Sequence, residues 1–387
     1  MPTSDFDKAT SFTWDAIVVG AGPAGSVAAL ELARRGSQVL LVDKKPFPRW
    51  KVCGACLSGQ SVSMLEQIGL KRVLERLHGV PLDRFRLRAG TSELEVCVPT
   101  GLAVSRPRLD AALVTAATDA GVRFLPETTA SVGPASSDNR FVALWQDSVA
   151  ADVAARVVLV ADGLGHPSLT EHAAFRSVAG RHARIGAGCV LTAGAMDLPR
   201  GTIHMIVGQR GYLGMVRVAD GTVNVAAALD PTYVRRAGGL GPAADAMLQE
   251  SPIRGVPRLA DEQWRGTPVL TQQPGSVAGR RLFVLGDAAG YVEPFTGEGM
   301  ARAIESAVAL APLAHRAITA WHDELATTWA HMHVRLVQRR LWLCRLIAWA
   351  LKHPVIVRAG MQFMGRVPAL AQGIASRVQA PVALFQG

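Results

Sequence analysis

The sequence predicts an α/β fold with a parallel sheet, an inserted β-rich domain and a helical C-terminal region. Residues 15–43 read as strand, glycine turn, helix and strand. Two more apolar strands, 156–161 and 281–285, each run into a turn that contains glycine. Residues 301–375 have helical composition, with a break at 352–354, where a proline stands. Alternating strands and helices of this kind build parallel sheets.

The first strand is predicted over residues 15–20, the helix over 24–35 and the second strand over 38–43. Valine and isoleucine crowd the first strand, as expected of a strand that is buried on both faces of a parallel sheet. Gly36 follows the helix, where a left-handed residue commonly ends one.

The turn between strand and helix has the pattern GxGxxG. Gly20 permits the tight turn, Gly22 lets the backbone approach a pyrophosphate, and Gly25 lets helix and strand pack closely. A diphosphate would meet the free N–H groups and the positive end of the helix dipole. Asp43 holds the acidic position that accepts hydrogen bonds from a ribose. This unit predicts a Rossmann-type dinucleotide site, FAD or NAD, with contacts at Gly20, Gly22, Pro23, Ala24, Gly25, Asp43 and Lys44.

Two later motifs favour FAD. The strand 156–161 runs into Asp162-Gly163, and the strand 281–285 runs into Gly286-Asp287 and the segment 291–299. With these, residues 12–310 resemble the flavoproteins that include aromatic-ring hydroxylases, geranylgeranyl reductases and flavin-dependent halogenases. The resemblance implies a Rossmann-type (GR2-like) FAD-binding domain. Because no His or Cys stands in a clear attachment context, we expect the FAD to be non-covalent.

The resemblance also implies roles for individual residues. Asp287 would accept a hydrogen bond from a ribityl hydroxyl, and the loop 294–299 would stabilise negative charge on reduced flavin together with the following helix dipole. Arg106 would contact the diphosphate, with Asp110 capping or bracing its helix. The expected contacts of these segments are Arg49, Cys53, Gly54, Arg106, Asp162, Gly163, Gly286, Asp287, Pro294, Gly297, Glu298 and Gly299.

Residues 49–56 resemble the loop of geranylgeranyl reductases that carries a Cys-Gly pair near the flavin, here Cys53-Gly54. Cys56 completes a CxxC pattern, which leaves open a covering loop without covalent chemistry and a redox disulfide. A metal site is not expected without a second Cys/His pair. The catalytic residues are unassigned, with Lys51, Cys53 and Tyr212 as flavin-proximal candidates. Core positions are favoured for His204 and Tyr212.

The segment 211–225 resembles a substrate-domain strand pair over the flavin. Relatives usually have a Trp and a Pro there, where this chain has Gly214 and Arg217 nearby, which would leave room for a larger apolar ligand. We divide the chain into FAD-binding segments, substrate-domain segments and a helical region. They are 11–81, 101–170 and 276–310 for FAD, 82–100 and 171–275 for substrate, and 311–387 for the helical region.

Two reactions fit these motifs. One is an NAD(P)H-dependent monooxygenation that hydroxylates or epoxidises a lipophilic or aromatic small molecule in secondary metabolism. The other is the reduction of a double bond in an isoprenoid or lipid. The sequence favours the first by analogy with the commoner chemistry on this scaffold. Halogenation is disfavoured, because the WxWxIP signature is absent and Lys51 stands in a different motif from the halogenase lysine. A non-catalytic flavin-binding subunit is the remaining alternative.

The net charge of +10 is concentrated in the last part of the chain. After Glu324 there is no acidic residue and there are eight basic ones, interleaved with apolar residues. This pattern suits an anionic membrane surface better than a nucleic acid, and a helical cap with solvated charges is the alternative. The apolar run 341–351 is too short to span a bilayer. The N-terminus lacks a signal-like apolar run and the five cysteines are an odd number, so we expect a cytoplasmic protein, with peripheral membrane contact left open.

Overall fold

A computed structural model describes residues 5–192, 198–253, 255–293, 295, 297, 299–350, 354–366 and 373. Within these ranges, the side chains of residues 99, 100, 337–349, 354 and 365 are not described.

In the described residues, three sheets are built from short and long strands. They are β1 Trp14–Val19, β2 Val39–Val42, β3 Cys56–Leu57, β4 Val80–Ala89, β5 Ser92–Ala103, β6 Arg123–Leu125, β7 Thr129–Ala135, β8 Arg140–Gln146, β9 Val149–Val160, β10 Val178–Ala179, β11 Ile185–Leu191, β12 Thr202–Gly208, β13 Gly211–Arg217, β14 Val223–Leu229, β15 Arg265–Val269, β16 Gln272–Gln273, β17 Ala278–Gly279 and β18 Leu282–Val284. The α-helices are α1 Asp5–Thr10, α2 Pro23–Ala33, α3 Gly59–Gln67, α4 Lys71–Arg76, α5 Arg106–Asp119, α6 Pro231–Ala237, α7 Leu240–Glu250, α8 Gly299–Thr319, α9 Asp323–Ala350 and α10 Pro354–Arg366.

The first sheet has the strand order β17-β18-β9-β1-β2-β6. Strands β18, β9, β1, β2 and β6 run parallel to their neighbours in this order. Strand β9 starts at Val149, earlier than predicted, because its first half pairs antiparallel with β8 and only its second half pairs with β1. The predicted Rossmann-type α/β fold is confirmed.

Helix α2 follows β1 and packs between the sheet, α5 and α8. Almost all of its side chains are buried. It ends at Ala33, two residues before the predicted end, and Gly36 then adopts φ of +84° and donates its N–H to the Ala33 carbonyl. The left-handed glycine thus turns the chain into β2.

The second sheet has the order β15-β11-β14-β13-β12-β4-β5-β3. Strands β4 and β12 pair in parallel within it, so segments far apart in the chain share one sheet. One face packs against α7, where Ile206, Leu213 and Val225 belong to the same buried cluster as Met247. The opposite face turns toward the first sheet. The proposed domain boundaries stay a prediction.

Helix α9 attaches to the first sheet through one buried tryptophan side chain. Trp329 on α9 is fully buried, and its indole N–H donates to the Val284 carbonyl on β18 over 2.9 Å. Helix α9 ends at Ala350 and α10 begins at Pro354, while Lys352 and His353 at the predicted break lie outside the described residues. No helix in the described ranges is long and apolar enough to cross a membrane.

Candidate cofactor and substrate site

A large cavity lies where the carboxyl ends of β1, β9 and β18 meet the inner face of the second sheet. It contains about 1390 Å³ of empty space, part of which is open to solvent. The structure brings many of the predicted site residues to its wall. They are Gly22, Pro23, Ala24, Lys51, Cys53, Gly54, Arg106, Gly163, Tyr212, Asp287, Gly297 and Gly299.

The glycine loop shapes one end of this cavity. A Cβ on Gly20 would lie 2.5 Å from the Ala161 carbonyl oxygen, and one on Gly25 would lie 1.8 Å from the Gly20 oxygen. These two glycines therefore allow the loop to pack closely on itself and against the end of β9. A Cβ on Gly22 would meet only Arg49, at 3.8 Å, so open space lies in front of the α2 N-terminus. The first N–H groups of α2 receive no side-chain cap, which suits an anionic ligand.

Asp43 is tied into the protein. Its carboxylate accepts hydrogen bonds from the Ala21 N–H at 2.9 Å, the Lys45 N–H at 3.0 Å and the Arg49 guanidinium at 3.1 Å. It thereby joins the end of β2 to the glycine loop. Lys44 is exposed and does not line the cavity. The ribose contact of Asp43 and the cofactor contact of Lys44 stay predictions.

Four buried charges form a chain behind the cavity wall. Arg49 bridges Asp43 and Asp110, with N–O distances of 3.1 and 3.0 Å, and Asp110 also accepts two hydrogen bonds from Arg106. Burial alone would lower the pKa of Arg106, but Asp110 and Cys53 together outweigh it, and the pKa rises. Arg106 therefore presents a permanent positive charge at the cavity. Asp110 braces α5 through Arg106, while Ser105 holds the N-cap position.

The Asp162–Gly163 turn leaves one polar atom unsatisfied. Asp162 Oδ2 accepts the Ser168 N–H at 2.9 Å, while buried Oδ1 has no partner, and burial raises the pKa of this carboxyl. An unpaired buried oxygen is costly, and a ligand hydroxyl could satisfy it, but Asp162 itself does not line the cavity, and its contact with FAD stays a prediction. Gly163 has φ of +86°, and Lys51 Nζ lies 3.1 Å from where its Cβ would be.

The third motif lies against the start of α2, next to the glycine loop. Gly286 has φ of +62° and touches Ala24 so closely that an added Cβ would lie 2.8 Å from the Ala24 side chain. The next residue, Asp287, lines the cavity, and no hydrogen bond to its carboxylate is found within the described ranges. Helix α8 starts at Gly299 on the cavity wall, so its positive end faces the cavity. Pro294 and Glu298 lie outside the described residues.

The cysteine loop is fixed against the second sheet. The Cys53 carbonyl accepts a hydrogen bond from the Asn224 amide on β14, at 2.7 Å. Cys53 Sγ accepts the Ala55 N–H at 3.4 Å and lies against the Arg106 guanidinium. Cys56 Sγ donates to the Gly54 carbonyl at 3.1 Å, and burial, with the neighbouring Cys53, raises its pKa. Both thiols are free.

The second sheet supplies an apolar wall. Its inward side chains are Phe85, Ile203, Met205 and Val216, and Leu270 follows on the loop after β15. Gly214 interrupts this wall on β13, where a Cβ would lie 2.8 Å from Met205 Sδ. The cavity therefore has a polar end under the first sheet and an apolar end under the second.

Tyr212 and His204 occupy opposite faces of the second sheet. Tyr212 is buried as expected, yet its ring lines the cavity, 5.1 Å from the Phe295 ring. Burial and the nearby Glu293 raise its pKa well above the usual value. Glu293 pairs with Arg184 at 2.7 Å, an ion pair the sequence did not indicate because its partners are far apart in the chain. His204 lies between the cavity-lining Ile203 and Met205 and is not part of the wall, and burial, with Arg86 and Arg88, lowers its pKa to about 4.

Comparisons with known proteins agree with a cofactor site in this cavity. The model of the FAD binding domain family matches residues 13–221, more than half of the chain. The chain belongs to this family of FAD-binding flavoproteins. It is 32% identical to the menaquinone reductase of Mycobacterium tuberculosis over 316 residues, which cover 76% of this chain and 74% of that protein.

Two further likenesses agree. Digeranylgeranylglycerophospholipid reductase 2 of Methanothermobacter thermautotrophicus is 28% identical over 326 residues, covering 79% of this chain and 78% of that protein. A geranylgeranyl bacteriochlorophyll reductase-like protein of Thermoplasma acidophilum shares the fold, with a TM-score of 0.73, 20% identity and 88% of each chain covered. The flavoprotein is therefore an FAD-dependent oxidoreductase of the superfamily that the sequence indicated.

Arg49→Met should destabilise the flavoprotein strongly. It would leave Asp43 and Asp110 buried with one positive partner fewer, which typically costs about 3–5 kcal/mol. Arg84→Met is the control, because Arg84 pairs with Asp83 on the surface and exposed pairs contribute about 0–1 kcal/mol. Urea unfolding measures both. Equal small losses would show that the buried chain of charges does not hold the loop.

Asp287→Ala should lower the FAD content of the purified protein. A charge-assisted hydrogen bond to the cofactor contributes about 1.5–3 kcal/mol, or roughly a tenfold to a hundredfold change in affinity. Heat denaturation of the yellow wild type should release FAD into the supernatant, as expected of non-covalent binding. Asp119→Ala, at an exposed position at the end of α5, is the control. Full FAD occupancy in a folded Asp287→Ala variant would remove Asp287 from the site.

Proposed function

We propose that the flavoprotein reduces a carbon–carbon double bond in an isoprenoid or similar long apolar lipid, with NAD(P)H as the electron donor to FAD. The observation that carries this proposal is the single cavity in which a cradle for FAD adjoins an apolar wall. The names of the relatives support it, since both curated relatives described above are named as reductases and one name includes a geranylgeranyl lipid.

FAD fits the polar end of the cavity. The α2 N-terminus and Arg106 would hold its diphosphate, and Asp162 and Asp287 would accept its hydroxyl groups. When bound, FAD supplies the hydride chemistry of the reaction. The positive end of α8 would stabilise negative charge in the same part of the cavity.

Reduction of a double bond also needs a proton, which the chain has to supply. Tyr212 is a poor donor, because its raised pKa disfavours loss of the proton. The Cys53 thiol also lines the cavity, and the Ala55 N–H and the Arg106 guanidinium hold its sulfur in place there. We therefore assign proton donation to Cys53 and regard Tyr212 as part of the substrate wall.

The monooxygenase that the sequence favours stays a second candidate. The apolar wall keeps water away from a substrate bound against it. This favours oxygen chemistry as well as hydride transfer. The two reactions differ in what they need: only the monooxygenase consumes oxygen.

An anaerobic reaction separates the two candidates. The holoprotein is reduced with NADH or NADPH without oxygen and mixed with a geranylgeranyl lipid in detergent, while the flavin absorbance and the product mass are followed. We expect the flavin to be reoxidised and the product to gain two hydrogen atoms. Reoxidation only after oxygen is admitted, with a product that gains one oxygen atom, would identify a monooxygenase instead.

Cys53→Ser should keep its FAD and lose substrate turnover. A serine hydroxyl is a much weaker acid than a thiol, and a positioned general acid contributes about 10²–10⁴ in rate. Reduction of the flavin by the nucleotide should be unaffected, so the loss should appear only in the step with the lipid. Cys97→Ser, at an exposed position on β5, is the matched control. Wild-type turnover and pH profile in Cys53→Ser would make Cys53 a covering loop residue.

A further inference from the structure

Helix α10 has two apolar faces. Its inner face is formed by Val357 and Met361, which are buried against the second sheet. They belong to the same cluster as Met205, Tyr212 and Leu270, which line the cavity. Helix α10 therefore packs on the cavity face of the second sheet, beside the apolar wall.

The outer face of α10 is apolar and open. Val355, Ile356 and Phe363 have exposed fractions of 71%, 42% and 57%. Val355, Ala359 and Phe363 are spaced four residues apart and so follow one line along the helix, with Ile356 beside Val355. We call these four residues the outer stripe.

Positive charge flanks the outer stripe. Arg358 and Arg366 on the same helix are exposed, as is Arg335 on α9. No acidic residue occurs anywhere in the sequence after Glu324, so all the charged side chains of this part of the chain are basic. Exposed apolar residues bordered by arginines are typical of helices that lie in the interface of an anionic bilayer. A protein partner would not require this one-sided charge.

We infer that α10 docks the protein on the surface of a bilayer that contains anionic lipids. The outer stripe enters the boundary between headgroups and acyl chains, and Arg358 and Arg366 contact the headgroups. Because the inner face of the same helix packs beside the apolar wall, docking brings the apolar end of the cavity close to the membrane. A lipid chain can then reach the cavity without crossing water. This delivery rests on the proposed function, whereas the docking itself does not.

Vesicle binding by the full-length holoprotein tests the docking. Co-sedimentation is measured with vesicles of phosphatidylcholine mixed with phosphatidylglycerol and with vesicles of phosphatidylcholine alone. We expect stronger binding to the anionic vesicles, weakening as salt rises because salt screens the attraction. Equal binding to both kinds of vesicle, or none at low salt, would overturn the inference.

Two pairs of variants locate the contact. Phe363→Asp should lower the vesicle partition coefficient roughly tenfold to a hundredfold, as expected when an inserted phenylalanine is lost. Phe12→Asp should not change it, because Phe12 is 59% exposed but lies before β1, at the end of the first sheet remote from the cavity. Arg366→Glu should lower the coefficient about tenfold, and Arg72→Glu on α4 should leave it unchanged. Equal losses in both members of a pair would place the contact elsewhere.

Turnover separates the docking from the proposed function. With substrate in anionic vesicles, Phe363→Asp should lose turnover in proportion to its lost binding, while turnover of the same substrate in detergent stays at the wild-type rate. Vesicle binding without turnover of either form would leave the docking standing and refute the proposed function. Turnover in detergent without vesicle binding would support the proposed function and refute the docking. A dimer that Phe363→Asp converts to monomer, with no vesicle binding, would make the outer stripe an interface between copies and overturn the docking.

Discussion

The cavity depends on the buried chain of charges from Asp43 through Arg49 and Asp110 to Arg106. Each of the two inner members, Arg49 and Asp110, has partners on both sides, so the desolvation of four charges is offset by direct ion pairs. The chain of charges joins the end of β2, the loop after it and the start of α5. These are the segments that place the α2 N-terminus, Cys53 and Arg106 around one space. Without it, the loop would carry the thiol but would not hold it beside the guanidinium.

The two sheets contribute opposite properties to that space. The carboxyl ends of parallel strands leave turns whose N–H groups and carboxylates remain available, and here they carry Asp162 and Asp287. The second sheet presents one pleated face, so alternate residues such as Ile203 and Met205 face inward while His204 faces away. The cavity can therefore hold a polar cofactor next to an apolar ligand, and each of the two would contact its own set of residues.

The parts of the fold that local sequence dictates could be predicted. The run of valine and isoleucine and the spacing of the glycines that follow it predict β1, the loop and α2 from one short segment, although the Cβ that Gly20 lacks would meet Ala161, far away in the chain. The pairing of Arg49 with Asp110 could not be predicted, because it joins positions 61 residues apart and no local periodicity records it. The sequence leaves Tyr212 between a core position and a place near the flavin for a related reason: alternation shows that a strand has two faces, but only the packing of the second sheet decides which face borders the cavity.

The same limit applies to the C-terminal region, where composition indicated either a cap or a membrane contact. Helix α10 makes these alternatives compatible, because burial of Val357 and Met361 on one side leaves Val355 and Phe363 on the other. A helix that only capped the enzyme would gain nothing from large apolar side chains on its solvent face, since exposing them has no stabilising effect. A helix that only bound membrane would not need to pack on the cluster that holds Met205 and Tyr212. Both faces have a use if the substrate is itself a membrane lipid, since the helix would then contact the bilayer on one side and the apolar cluster beside the cavity on the other.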